Sequence, residues 1–180
     1  MYEGNNPTAV KSQKNFAYSL FKLMEEKPLN KITVKNICEE SNLSRQTFYQ
    51  LFTTKEDVIR YYIRESLRKV QIDIDESFEK NIKGMIKVYL RFLIDNEDIF
   101  KLLMDNKVAY LFIEEFAIRI KEIGNKINGD NFGEYSEYIV AFVTGGIFST
   151  IFYWLKSNKE IGEEKLIELI AKMLTLQIEI

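Results

Sequence analysis

Within SNLSRQTFYQLFTTKEDV, residues 41–58, five side chains with hydrogen-bonding chemistry fall inside six positions: Ser44, Arg45, Gln46, Thr47 and Tyr49. Gln50 adjoins them and Lys55 follows shortly after. A glutamine amide can bond adenine through two atoms, a guanidinium can do so to guanine, and threonine can bond a base or touch the thymine methyl. A tyrosine hydroxyl, a lysine ammonium and the free N–H groups at a helix start suit phosphate oxygens. Phe48, Leu51 and Phe52 interleave with these polar positions at the spacing of a helix's inner face. On spacing alone, a short polar helix of this kind is more often a solvated surface.

The flanking residues supply what would hold such a helix in place. Thr33 is a good N-cap, and Ile32 with Ile37 occupies the two positions of a hydrophobic staple, which predicts a helix from Thr33 to about residue 41. Asn42-Leu43 fills a tight turn. Ser44 caps the next helix, with Leu43 and Phe48 as its staple pair; Thr54 caps a fourth, with Asp57 three residues on. A first helix over 11–26, carrying Phe16, Ala17, Leu20, Phe21, Leu23 and Met24 at helical spacing and stopped by Pro28, can close the third side. Residues 1–10 read as a frayed start. The unit is a three-helix arrangement of helix-turn-helix type, in which the N-terminal residues of the second motif helix enter the major groove.

Thr33-Val34, Ile37-Cys38, Leu43-Ser44-Arg45-Gln46-Thr47-Phe48-Tyr49, Phe52 and Lys55-Glu56-Asp57-Val58 together resemble the N-terminal domain of the TetR family of bacterial transcriptional regulators. The likeness covers about 50 residues and rests on the spacing Thr-x-Tyr-x-x-Phe-x-x-Lys-Glu. Cys38 replaces a small residue, Asn42 stands where Gly is common, and Gln46 and Leu51 depart from the usual Gly and Tyr or His. Asn42 tolerates the left-handed conformation that such a turn needs. Gln46 lies in the base-reading region, so the departure bears on the operator sequence. More loosely, Gly145-Gly146-Ile147 followed by Tyr153-Trp154-Leu155-Lys156 is similar to the C-terminal domain of members related to the dihydroxyacetone kinase operon regulators.

The resemblance implies an all-α homodimer with two domains: a DNA-binding domain over 1–54, with Thr33 among its contact residues, and a ligand-binding and dimerisation domain over 55–180. It implies a repressor that binds palindromic operator DNA and is released by a small molecule. Its two recognition helices must sit about one DNA turn, ~34–36 Å, apart. The last two long helices, over 134–156 and 162–178, would form the dimer's four-helix bundle. Gly145 and Gly146 would admit a partner backbone, against the plain alternative of a helix kink, with Phe148, Phe152, Leu166, Ile170 and Leu174 at the interface.

Composition agrees and excludes other classes. Two Pro and eight Gly among 180 residues, with 46% hydrophobic residues, suit long helices with few breaks. No further strand or repeat signal appears; helices are expected over 55–79, 82–95, 97–104 and 109–127, then a loop over 128–133. Residues 1–70 hold 12 Lys and Arg against 8 Asp and Glu, whereas 71–180 hold 13 against 19, so only the first part favours a polyanion. There is no His, which removes the commonest metal ligand and general base. The lone Cys38 excludes an internal disulfide, and no signal-peptide pattern opens the chain, so a cytoplasmic protein is expected. No enzyme, cofactor or metal is expected.

Residues 139–155 carry no charge, near the lower length for a membrane span, but small and hydroxyl residues interrupt them and charged helices flank them. A helix buried by protein, in part a second subunit, is the preferred reading over a membrane helix. Tyr89, Phe92, Phe100, Met104, Phe112 and Phe116 are candidates to line a cavity for an apolar or aromatic effector, against the plain alternative of core packing. Arg91 and Arg119 are the cations available to such a ligand. Two other readings stay open: control by a protein co-regulator, and a helical protein-interaction module that binds no DNA.

Overall fold

The computed structural model describes residues 2, 4–76, 82–128 and 135–174. Among them the chain is all-α: α1 Pro7–Glu26, a 3-10 turn Leu29–Lys31, α2 Val34–Ser41, α3 Arg45–Leu51, α4 Lys55–Glu76, α5 Ile82–Asp95, α6 Glu97–Asp105, α7 Ala109–Asn128, α8 Ser136–Lys156 and α9 Glu163–Leu174. Residues 129–133 of the expected loop, and 175–178 of the expected last helix, lie outside the described residues.

Local chemistry explains where the first helices start and stop. α1 begins at Pro7, earlier than the expected residue 11, because Asn6 Oδ1 accepts the Thr8 N–H at 2.9 Å and Pro7 supplies a pre-set φ at the first helical position. The frayed start expected for residues 1–10 is therefore corrected: half of that stretch is helix or cap. Thr33 and Asn36 form a reciprocal capping box at α2. α2 ends where Asn42 turns left-handed, at φ 54° and ψ 38°. Ser44 Oγ accepts the Thr47 N–H at 3.0 Å and starts α3. Asp57 closes the start of α4: its Oδ2 accepts the N–H of Thr53 and of Thr54, and its own N–H donates to Thr54 Oγ1.

Two compact units result. The first joins Met1–Ser66 with Asp98–Phe112; the second joins Leu67–Glu97 with Ile113–Ile180. This partition differs from the chain-order division at 54/55, because the first half of α4 and most of α6 belong with α1–α3. The first unit is centred on three fully buried rings. Phe16 meets Phe48 edge-on at 5.3 Å and Phe52 at 6.2 Å, and Phe52 meets Tyr61 at 5.8 Å. Truncating one such phenylalanine to Ala costs about 3–5 kcal/mol. Lys22 on α1 pairs with Glu40 on α2 at 2.6 Å, and that carboxylate pushes the ammonium pKa up.

In the second unit α9 packs on α5 and α8. A run of ring contacts, Tyr89–Phe116, Phe116–Phe148 and Phe148–Phe152, links α5, α7 and α8. Trp154 Nε1 donates to the Ile161 carbonyl at 2.7 Å and fixes the connection from α8 to α9. On α9 the buried face is Leu166, Ile167, Ile170 and Ala171, while Met173 is exposed.

Candidate nucleic-acid interface

α3 is seven residues long, and its two faces divide cleanly. Phe48 and Leu51 point inward, followed by buried Phe52, while Arg45, Gln46, Tyr49 and Gln50 are exposed on the opposite side, Tyr49 at 62%. Thr47 is half-buried beside Ser44, their hydroxyls 2.9 Å apart. The Phe48 anchor and the Asn42 corner thus hold amide, guanidinium and phenol groups outward on a fixed helix. Burial pushes the Cys38 thiol pKa up, with a weaker opposite pull from the Arg45 guanidinium, whose charge therefore lies near the α2–α3 corner.

Three of the residues singled out from the sequence are engaged inside the chain. The Thr33 hydroxyl accepts from the Asn36 N–H and meets Asn36 Oδ1. The Ser44 hydroxyl is the cap of α3. Lys55 Nζ donates to the carbonyls of Leu29 at 2.6 Å and Ile32 at 3.1 Å, tying the start of α4 to the 3-10 turn before α2. These contacts make the three residues part of the frame that orients α3, alongside the exposed groups that α3 presents.

The frame has a further member that the sequence reading missed. Leu29 gives its carbonyl to Lys55 and its N–H to Asn106 Oδ1, at 2.6 Å, from a residue 77 positions away just beyond α6. Asn106 Nδ2 in turn donates to the Leu102 carbonyl, which fixes the amide's orientation. No local sequence signal marks this pairing, because it exists only once α6 is folded against the turn.

The six aromatic-cavity candidates fall in different units. Tyr89, Phe92 and Phe116 belong to the second; Phe100, Met104 and Phe112 belong to the first. Phe100 and Phe112 pack edge-on at 5.1 Å, as do Tyr89 and Phe116 at 5.8 Å, while Met104 is exposed. A cleft of about 280 Å³ in the second unit is lined by Lys87, Val88, Arg91, Glu164 and Ile167, and none of the six reaches it. Arg91 pairs with Glu163 and Glu164, and Arg119 with Glu122, so each cation offered to a ligand already holds a carboxylate. The second unit also buries polar groups in its apolar interior. The Tyr89 hydroxyl donates to Gln71 Oε1 at 3.1 Å, and the Thr144 hydroxyl has no hydrogen-bond partner among the described residues.

The interface candidates on α8 and α9 sort by burial. Phe148, Leu166 and Ile170 are buried within their own chain. Phe152 and Leu174 are half-buried. Gly145 and Gly146 are exposed, and a Cβ at either would meet nothing within 4 Å. They lie on a stripe with Tyr138, Phe142, Ser149 and Tyr153, spaced at one to two helical turns, while Leu169 and Met173 are exposed on α9. By length and composition α8 alone among the described helices would suit a membrane span.

A short helix anchored by buried aromatic rings, presenting Arg, Gln and Tyr after a left-handed corner, makes this a helix-turn-helix DNA-binding protein. Residues 20–62 match the model for bacterial regulatory proteins of the tetR family, and residues 80–176 match that for a transcriptional regulator C-terminal region. The chain belongs to the TetR family of transcriptional regulators, soluble DNA-binding proteins that typically act as dimers and are generally not enzymes. No curated protein matches the chain.

Solved structures share the fold. Lin0861 from Listeria innocua is 19% identical at a TM-score of 0.77, covering 99% of this chain and 97% of its own. A TetR transcriptional regulator from Streptococcus agalactiae is 16% identical at 0.62, covering 92% and 94%. A transcriptional regulator from Aquifex aeolicus is 21% identical at 0.54, covering 93% and 99%.

Proposed function

We propose that the protein is a homodimeric repressor that reads a palindromic operator with Arg45, Gln46, Thr47, Tyr49 and Gln50 and releases it when a small molecule binds. The observation that carries this reading is the outward face of α3, whose exposed amide and guanidinium side chains match the donor and acceptor pattern of base edges. A second copy of the chain is the occupant we assign to the exposed face of α8 and α9. Apolar rings flank two glycines there, with open space above them, which suits close approach of a helix across a two-fold axis.

The effector we assign is apolar or aromatic and enters the second unit, where the rings of Tyr89 and Phe116 lie. The Thr144 hydroxyl supports this, because a buried unpaired polar group costs about 1–3 kcal/mol and a ligand bearing a hydrogen-bonding group would recover it. Release requires the effector to favour one dimer geometry over the other. Leu29, held by Asn106 on one side of its peptide and by Lys55 on the other, is the point we assign for passing a shift of α6 to the turn before α2.

Selection of bound duplexes from a random DNA pool tests the reading. A palindromic motif, bound with affinity that falls steeply with salt, is the expected result. No enrichment at low salt would refute it and leave a module that binds only protein.

A further inference from the structure

Tyr2 lies outside every element used so far, yet its main chain makes two hydrogen bonds to the DNA-reading unit. Its N–H donates at 2.8 Å to the carbonyl of Leu51, the last residue of α3. That carbonyl is one of the four at a helix end that have no partner within the helix. The Tyr2 carbonyl accepts at 2.9 Å from Gln13 Nε2, a side chain of α1 that is only 2% exposed. The phenol then folds back: its oxygen accepts from the N–H of Asn6, the cap of α1, at 3.3 Å. The ring sits over Gly4, where a Cβ would stand 2.3 Å from the phenol oxygen. Tyr2 thus acts as a strap that ties the start of α1 to the C-terminal end of α3.

The strap carries no cationic side chain to attract phosphate. Residues 1–6 contain Glu3 and no Lys or Arg. What it can do is mechanical. α3 is seven residues long and is fixed at its N-terminal end by Ser44; the Tyr2 bond fixes its other end to α1. Bidentate reading of a base demands that Arg45 and Gln46 arrive at a defined angle, whereas attraction to the backbone tolerates tilt.

We infer that Tyr2 and Gln13 are positioning residues for DNA reading, because the strap they hold sets the angle of α3 and so raises base-specific affinity without adding backbone attraction. The inference rests on α3 being the reading helix. Three variants of the full chain separate the parts. Tyr2→Pro deletes the N–H that bonds Leu51. Tyr2→Ala keeps that N–H and removes the ring. Gln13→Met keeps side-chain length and removes the donor.

Affinity is measured for a selected duplex and for a scrambled one, across salt. Tyr2→Pro and Gln13→Met are expected to bind the selected duplex roughly three- to tenfold more weakly, the worth of one hydrogen bond. The scrambled duplex and the salt slope should not change, and Tyr2→Ala should stay close to wild type. Equal loss on both duplexes, no loss on either, or Tyr2→Ala as weak as Tyr2→Pro would each overturn the inference.

Amide exchange without DNA supplies an independent readout. In Tyr2→Pro the amides of residues 48–52 should exchange faster while those of α1 and α2 keep their protection; unchanged exchange in α3 sinks the strap. A wild-type protein that selects no duplex would defeat the proposed function, and the exchange result would still decide the strap.

Discussion

Phe142→Asp is the perturbation that bears hardest on the two-fold assembly. Phe142 is 79% exposed in the first half of α8, one turn before Gly145 and Gly146, so within one chain the ring packs against little. Aromatic side chains bury roughly 150–250 Å² when covered; four-fifths of roughly 200 Å² at roughly 25 cal/mol per Å² gives about 4 kcal/mol for each chain. A two-fold interface counts the residue twice, hence about 8 kcal/mol per dimer. If half of that area is covered, dimer dissociation still strengthens about a thousandfold. The fold of one chain loses little, because the replaced side chain faces outward. Sedimentation should therefore give a dimer for wild type and a monomer for Phe142→Asp at micromolar concentration, with equal helicity by circular dichroism. A wild-type monomer, or a variant that stays dimeric, would refute the assignment of this face to a second copy.

Ser44→Ala should lower stability by about 1 kcal/mol through loss of the α3 cap, whereas Ser44→Asp should keep the cap and the thermal midpoint but weaken DNA binding by adding negative charge at the helix start. Asn106→Leu leaves the Leu29 N–H unpaired at a cost of about 1–3 kcal/mol, which should appear as faster exchange of that one amide while α5 and α9 keep their protection. Cys38 titrates with a raised pKa because it is buried, so the neutral thiol favours the folded state: its contribution is full below the ordinary value of 9.0 and is lost as pH rises through the raised one. Denaturant titrations should show a stability decline on the alkaline side that Cys38→Ala reduces, and thiol labelling near neutral pH should be slow until the protein unfolds.

The elements were legible wherever a local rule fixed them. Thr33, Ser44 and the Thr54–Asp57 pair cap the helices that their types announce, and Asn42 takes the left-handed corner because its side chain tolerates it. α1 was read as starting too late although Asn6-Pro7 is itself a start signal; the polar run 1–10 drew the eye away from it. Faces were harder. On α8 nearly every residue is apolar, so periodicity could not say that Phe148 faces inward and Phe142 outward. Pairings distant in sequence, such as Asn106 with Leu29 or Gln13 with Tyr2, left no trace, because they depend on where other helices come to rest. Lys55 illustrates the same limit: a lysine beside a reading helix suggests phosphate, and only the fold supplies the two carbonyls that hold its ammonium.

Whether α3 reads bases is tested most directly by selecting duplexes from one random pool with wild type and Gln46→Ala side by side. Gln46 is exposed on α3 and carries an amide suited to adenine, and its loss removes no charge. Both proteins are expected to enrich the same palindrome, with preference lost at one symmetry-related pair of positions in the variant and the salt dependence unchanged. Identical motifs from the two proteins, or none from either, would contradict the assignment of α3 to the major groove.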